Sequence, residues 1–154
     1  MANKSVIFDL DGTLADIRDR RTLATKDSGK IDWPKFFDPQ NIALDKPNSA
    51  VIESFKALQQ AGFRMVIFSG RSEATREETE KWLESFGIKA DLLLMRPATG
   101  GGMFIPDDIL KEAWLREQFP NKNNILCVYD DRDKVVAMWR RNGIPCFQVA
   151  PGDF

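Results

Sequence analysis

Five short apolar runs restrict the folds open to this chain more than any other feature. They lie at residues 5–9, 64–68, 91–95, 124–129 and 145–149, and polar or glycine residues bound each one. All five are rich in Val, Ile, Leu or Phe and too short for helices that bury themselves on all sides. Such runs suit strands of a parallel sheet covered on both faces. The segments between them carry a helical pattern. Residues 48–61 place Val51, Phe55 and Leu58 on one face and stop at Gly62. Residues 72–86 start with Ser72 as cap, bury Trp82, Leu83 and Phe86, and stop at Gly87. Residues 107–118 follow Pro106 with Asp107 as cap, and residues 132–142 turn Val135, Val136 and Trp139 inward before Gly143. Alternating strands and helices predict an α/β fold: a doubly wound, Rossmann-like, five-stranded parallel sheet with helices on both faces.

Residues 1–154 read as one domain. Residues 14–47 break the alternation with a charge run and then Trp33, Pro34, Phe36, Phe37, Pro39 and Pro47. They read as a short flap and connection beside the cleft, with no large cap domain. Gly100-Gly101-Gly102 reads as a flexible loop.

In a doubly wound sheet, ligands bind beyond the carboxyl ends of the strands. Those ends here carry Asp9 and Asp11, then Ser69, then Asp130 and Asp131. Asp9 and Asp11 are two residues apart, which in an extended chain turns both to one side and Leu10 to the core. Paired carboxylates repel unless a cation or a proton stands between them. Mg²⁺ takes oxygen ligands, so Asp9-Asp11 and Asp130-Asp131 read as its site. The plain alternative for the first pair is a turn with exposed acids. Gly12 permits a sharp turn, and Thr13 offers a hydroxyl and an N–H to an anion. Ser69 and the Gly70 turn after it supply donors for phosphate. Lys111 lies four residues after Asp107, where the acid can orient the ammonium; an exposed ion pair is the alternative.

The composition narrows the chemistry further. There is no His, which removes Ser-His and Cys-His catalysis and His-based zinc sites. The net charge of −1, from 22 basic and 23 acidic residues, argues against a general nucleic-acid coat. It leaves room for a local basic rim of Arg18, Arg20, Arg21, Arg71, Arg76 and Arg96. Cys127 and Cys146 sit in apolar runs and read as reduced core residues of a cytoplasmic protein, with a disulfide or metal pair as the alternative. No apolar run is long enough to span a bilayer.

Taken in order, Asp-Leu-Asp-Gly-Thr at 9–13, Ser69, Lys111 and Asp130-Asp131 resemble the four motifs of the haloacid dehalogenase-like phosphatase superfamily. Ser-Gly-Arg at 69–71, Asp-Asp-Ile-Leu-Lys at 107–111 and the ending from Asp130 to Phe154 resemble more narrowly the 3′-phosphatase domain of phage-type polynucleotide kinase/phosphatases. The resemblance implies a Mg²⁺-dependent phosphomonoesterase acting on nucleic-acid 3′ ends or nucleotides. Asp9 would be the nucleophile, and Asp11 the acid and then the base, held protonated near neutrality as the substrate arrives. Mg²⁺ would rest on the Asp9 carboxylate, the Asp11 carbonyl and Asp130, with Asp131 acting through water. Ser69 and Lys111 would hold the phosphoryl oxygens, Asp107 would orient Lys111, and Arg20 and Arg71 would contact substrate. The alternatives are a phosphatase of free nucleotides or small metabolites, and a non-catalytic binding module. No G-x-x-x-x-G-K-[S/T] occurs, so kinase activity is not expected.

Overall fold

The computed structural model describes residues 3–154. Strand β1 (Ser5–Phe8) occupies the centre of a five-stranded sheet. It pairs in parallel with β4 (Arg64–Ser72) on one side and β6 (Ile125–Asp130) on the other. Strands β5 (Leu92–Arg96) and β7 (Cys146–Gln148) form the edges, also parallel, giving the order β5-β4-β1-β6-β7. The chain fills one half of the sheet outward from β1, then crosses back to fill the other. Strand order therefore reverses between β1 and β6, and a crevice opens at their carboxyl ends.

The period of two along each strand divides the apolar side chains between two cores. Val6, Phe8, Met65 and Ile67 pack on one face with Val51, Ile52 and Phe55 of α4 (Ser49–Gln60) and Trp82 and Leu83 of α5 (Arg76–Ser85). Ile7, Val66, Phe68 and Val128 pack on the other with Leu110, Trp114 and Leu115 of α6 (Asp107–Gln118) and Val135, Val136, Met138 and Trp139 of α7 (Asp133–Arg141). Cys127 and Cys146 are both buried and free.

Four local readings are corrected. β4 runs on to Ser72, past the expected end at Phe68, and its pairing with β5 shifts register between Ser69 and Ser72. Ser72 caps a 3₁₀ turn, Glu73–Thr75, and the α-helix starts only at Arg76. Asp107 does not cap α6: Pro106 holds that place, and Asp107 is the first helical residue. The glycine run is built into a 3₁₀ turn, Gly101–Phe104.

Residues 14–47 are more ordered than a flap needs to be. They contain a two-stranded ribbon of β2 (Ala15–Asp16) against β3 (Lys46–Pro47), helix α1 (Arg18–Ala24) and two single turns, α2 (Trp33–Phe36) and α3 (Pro39–Ile42). Leu14, Ala15, Ile17, Ala24 and Phe36 are buried in the first core. Among the described residues, no helix is long and apolar enough to cross a membrane.

Candidate active site

Asp9 follows directly on β1, and its N–H still donates to the Tyr129 carbonyl of β6 at 2.9 Å. The chain then turns. Leu10 is fully buried, and its carbonyl accepts from Thr13 and Ala15. Gly12 takes φ +82°, a left-handed conformation that glycine adopts without strain. The chain forms a turn here rather than an extended strand, and Asp9 and Asp11 take different partners. They enter two separate ionic clusters.

The first cluster is anionic. Carboxylate oxygens of Asp9, Asp130 and Asp131 lie within 4.8 Å of one another, and all three residues are buried. Lys111, projecting from α6, places Nζ 2.8 Å from Asp9 Oδ1 and 3.1 Å from Asp130 Oδ2. It is 2% exposed, which rules out the exposed ion pair. Burial works against its charge, but Asp130 and Asp9 outweigh that and hold it well above the ordinary lysine range. Thr13 donates its hydroxyl to Asp9 Oδ2 at 3.1 Å. Asp130 Oδ1 accepts from the Asp131 N–H, and Oδ2 accepts from Trp139 Nε1 at 3.3 Å. Burial and the neighbouring Asp130 charge raise the Asp9 carboxyl well above its usual range, against the pull of Lys111. Burial also pushes Asp131 up to about 6.

Mg²⁺ fits this donor set. Three carboxylates against one ammonium leave two negative charges when all are ionised, and a divalent cation cancels them. Burial first, and then the charge of Asp130, raise the Asp9 and Asp131 carboxyls, and a bound cation would act against both. Gly12 adds a geometric reason, because a Cβ there would overlap the Asp131 carboxylate.

The second cluster is balanced. Arg20 of α1 donates Nη2 to Asp11 Oδ1 at 2.6 Å. Arg71 at the end of β4 donates Nε and Nη2 to the same oxygen at 2.9 and 2.6 Å. Both guanidinium groups also bind Asp45, whose side chain is fully buried. Burial raises the Asp11 carboxyl, but Arg71 and Arg20 overcome this and bring it down to about 2. With no substrate present, the two arginines thus hold Asp11 ionised, whereas the expected proton belongs to the state in which substrate arrives.

Other expected contacts are also reassigned. Arg20 and Arg71 are 2% and 0% exposed, so they belong to neither a solvated charge run nor a surface rim. Arg76 is spent on Glu73, Glu80 and the Leu93 carbonyl, and Arg96 on the Gly70 and Ile105 carbonyls and Asp107. Asp107 accepts from Arg96 and Arg132 instead of Lys111, because Lys111 turns toward Asp9 and Asp130. Gly70 passes close beneath Asp107, and a Cβ would overlap that carboxylate. The Thr13 N–H is used within the turn, and its hydroxyl holds Asp9 rather than an open anion site. Ser69 is buried at the same strand end, and its Oγ accepts from the Arg71 N–H at 3.1 Å.

Asp45 is the residue that sequence reasoning missed. Residues 14–47 hold six aspartates, and no spacing distinguishes the buried one. The available signal was indirect: an arginine at an interior strand end needs a carboxylate partner.

The sheet order and the strand-end acids, with Lys111 between them, define a phosphatase domain of the haloacid dehalogenase-like class, a phosphoric monoester hydrolase. The fold recurs in CbbY from Rhodobacter sphaeroides, solved in complex with phosphate, with a TM-score of 0.67 at 14% identity over 99% of this chain and 87% of that one. Residues 3–154 match the family model of the polynucleotide kinase PNKP phosphatase domain, and the chain belongs to that family. It is 34% identical over 145 residues to a putative bifunctional polynucleotide kinase/RNA ligase of Autographa californica nuclear polyhedrosis virus, covering 92% of this chain and 18% of the relative. It also superposes on a chain of the Pnkp1/Rnl/Hen1 complex with a TM-score of 0.78 and 35% identity, covering 100% of this chain and 48% of that one. The chain thus spans less than half the length of either relative.

Proposed function

We propose that this chain is a Mg²⁺-dependent phosphomonoesterase that removes 3′-phosphate from nucleic-acid ends through an aspartyl-phosphate on Asp9. The observation that carries the chemistry is the setting of Asp9. It is 7% exposed, with one oxygen held by Lys111 and the other by Thr13, so the carboxylate is fixed in direction before substrate arrives.

The Asp9 and Asp130 carboxylates and the Asp11 carbonyl would hold Mg²⁺, with Asp131 acting through water, and the ion would offset charge on the transferring phosphoryl group. Asp9 attacks phosphorus, the bond from phosphorus to the leaving oxygen breaks, and Asp11 gives that oxygen its proton. Water then attacks the aspartyl-phosphate, Asp11 takes the water proton, and inorganic phosphate leaves with Asp9 regenerated. The ionised Asp11 of this structure suits the second displacement. For the first, Asp11 must carry a proton when the substrate is bound, and the negative charge of an arriving phosphate acts in that direction. Ser69 and Lys111 hold the phosphoryl oxygens.

The 3′ end is supported by family membership and by the polynucleotide kinase named among the relatives. Residues 14–47 carry short elements and no large cap, which suits a polymeric substrate. One observation favours the alternative of free nucleotides or small metabolites: most of the expected basic rim is committed to internal partners. The deciding experiment measures phosphate release from 3′-phosphorylated oligonucleotides, 5′-phosphorylated oligonucleotides, mononucleotides and sugar phosphates. A higher kcat/KM on the 3′-phosphorylated ends is expected. Faster turnover of mononucleotides or sugar phosphates refutes the 3′-end assignment.

A further inference from the structure

Phe104 is 82% exposed, more than any other large apolar side chain among the described residues. A ring left in water forgoes the gain that burial would bring. The backbone that carries it is nevertheless held at three points. A Cβ at Gly102 would overlap the Pro97 ring, so the chain folds tightly back on itself there. The Met103 N–H donates to the Gly100 carbonyl at 3.3 Å. The Ile105 carbonyl accepts from Arg96 Nη1. The ring is presented outward from a braced loop.

That loop borders the crevice. Arg96 also donates Nε to the Gly70 carbonyl at 2.9 Å, so one guanidinium spans from the residue after Phe104 to the residue after Ser69. Its Nη2 goes on to Asp107, which accepts from Arg132 as well, the residue after Asp131. Phe104 therefore stands beside groups that frame the place proposed for the phosphoryl group.

The surroundings favour a nucleobase over a protein partner. Arg132 and Lys134 share a small hollow with Asp107 and Asp108, and Arg96 adds a third cation to the two acids. The excess positive charge suits a phosphodiester strand. The exposed apolar surface is small, made by Phe104, Met103 and Ile109. Three side chains fall well short of the roughly 800 Å² per partner that a stable protein interface buries. A single ring is enough for a single base, because every base has a π-face.

We propose that Phe104 is a stacking platform for one of the last two nucleobases of the strand whose 3′ phosphate enters the crevice. The inference rests on the 3′-end reading above and adds to it a place for the base. Stacking of this kind tolerates any base, so the site reads the presence of a base and not its identity.

The experiment removes the ring and the base separately. kcat/KM is measured for the parent, Phe104→Ala, Phe104→Leu and Phe104→Trp. The substrates are a 3′-phosphorylated trinucleotide and the same trinucleotide with its last two nucleotides abasic. The parent is expected to favour the base-bearing substrate by about tenfold, through KM, as stacking of one base supplies. Phe104→Ala should bring that ratio close to one, Phe104→Leu should recover little of it, and Phe104→Trp should keep or raise it. An equal ratio in the parent and Phe104→Ala overturns the inference. Full recovery by Phe104→Leu overturns it too, because apolar contact without a ring would then suffice.

Failure of the 3′-end reading has a different signature. If the parent releases phosphate from mononucleotides and from no 3′ end, the substrate assignment falls. The same variants are then compared on a mononucleotide and on ribose phosphate, and Phe104→Ala should again collapse the ratio. A parent indifferent to the base on every substrate overturns the inference, whichever phosphate it removes.

Discussion

Arg71 reaches Asp11 through two of its nitrogens, Nε at 2.9 Å and Nη2 at 2.6 Å, and both bonds land on the same carboxylate oxygen, Oδ1. A third bond, from Arg20 Nη2, lands there too. Among the described residues no side-chain donor reaches the other oxygen, and the side chain is 21% exposed. Asp11 is therefore held through one oxygen while the side chain keeps some contact with solvent, which is what the proton transfers proposed for it would need.

This grip predicts an acid-stability signature. The Asp11 carboxyl is held at about 2 in the folded chain, against 3.8 for the free group. A depressed folded value favours the native state once the unfolded carboxyl has ionised. The contribution is therefore present above about pH 4 and lost as the pH falls through about 2. The difference corresponds to roughly 2 kcal/mol. Urea unfolding of the parent and of Asp11→Asn between pH 5 and pH 2 should show the stability gap closing by about that amount. A gap independent of pH would show that the arginines do not hold Asp11 ionised.

The nucleophile is tested by Asp9→Asn. Volume is kept, and an amide oxygen remains to accept from Lys111 or Thr13, but the side chain cannot form the acyl phosphate. Turnover is expected to fall by about 10³-fold or more, with the melting temperature changed by only a few degrees. Near-parent phosphate release from a folded Asp9→Asn protein rules out the covalent route.

Metal dependence follows from the acid cluster. EDTA should abolish turnover, and Mg²⁺ should restore it. A readout free of catalysis is thermal unfolding, because a cation that binds only the folded cluster stabilises it, by about 2.7 kcal/mol at a hundredfold excess over Kd. Asp130→Asn keeps an acceptor for Trp139 and Lys111 but removes a charge from the set, so most of the Mg²⁺-induced shift should vanish. An equal shift in parent and variant would place the ion elsewhere.

The sequence made the sheet legible because each buried strand is a short apolar run, and the four motifs because each falls at a strand end or on a helix beside it. Lys111 was legible as a motif residue but not in its partners. Proximity along α6 suggested Asp107, whereas the fold brings Asp9 from 102 positions away to within 2.8 Å. The partners of Arg20 and Arg71 were hidden for the same reason. Asp45 lies 25 and 26 positions from them, and nothing in the composition of residues 14–47 separates it from the exposed acids around it. The partners of Asp11 were hidden too, because the chain leaves the extended strand for the turn at Gly12.

That turn supplies the last prediction. Gly12 combines φ +82° with a close approach to Asp131, so an alanine there meets two penalties. The left-handed backbone costs about 1 kcal/mol for a residue with a Cβ. The Cβ would also overlap the Asp131 carboxylate, which must move away from Asp9 and Asp130. Stability should therefore fall by about 2 kcal/mol or more, and Mg²⁺ affinity should fall with it, by about tenfold or more. Gly29 separates the two effects. It has the same φ of +82°, with open space where a Cβ would point. Gly29→Ala should carry the backbone cost alone and leave the Mg²⁺ titration at the parent value. If Gly12→Ala binds Mg²⁺ as tightly as the parent in a calorimetric titration, Asp131 does not support the ion.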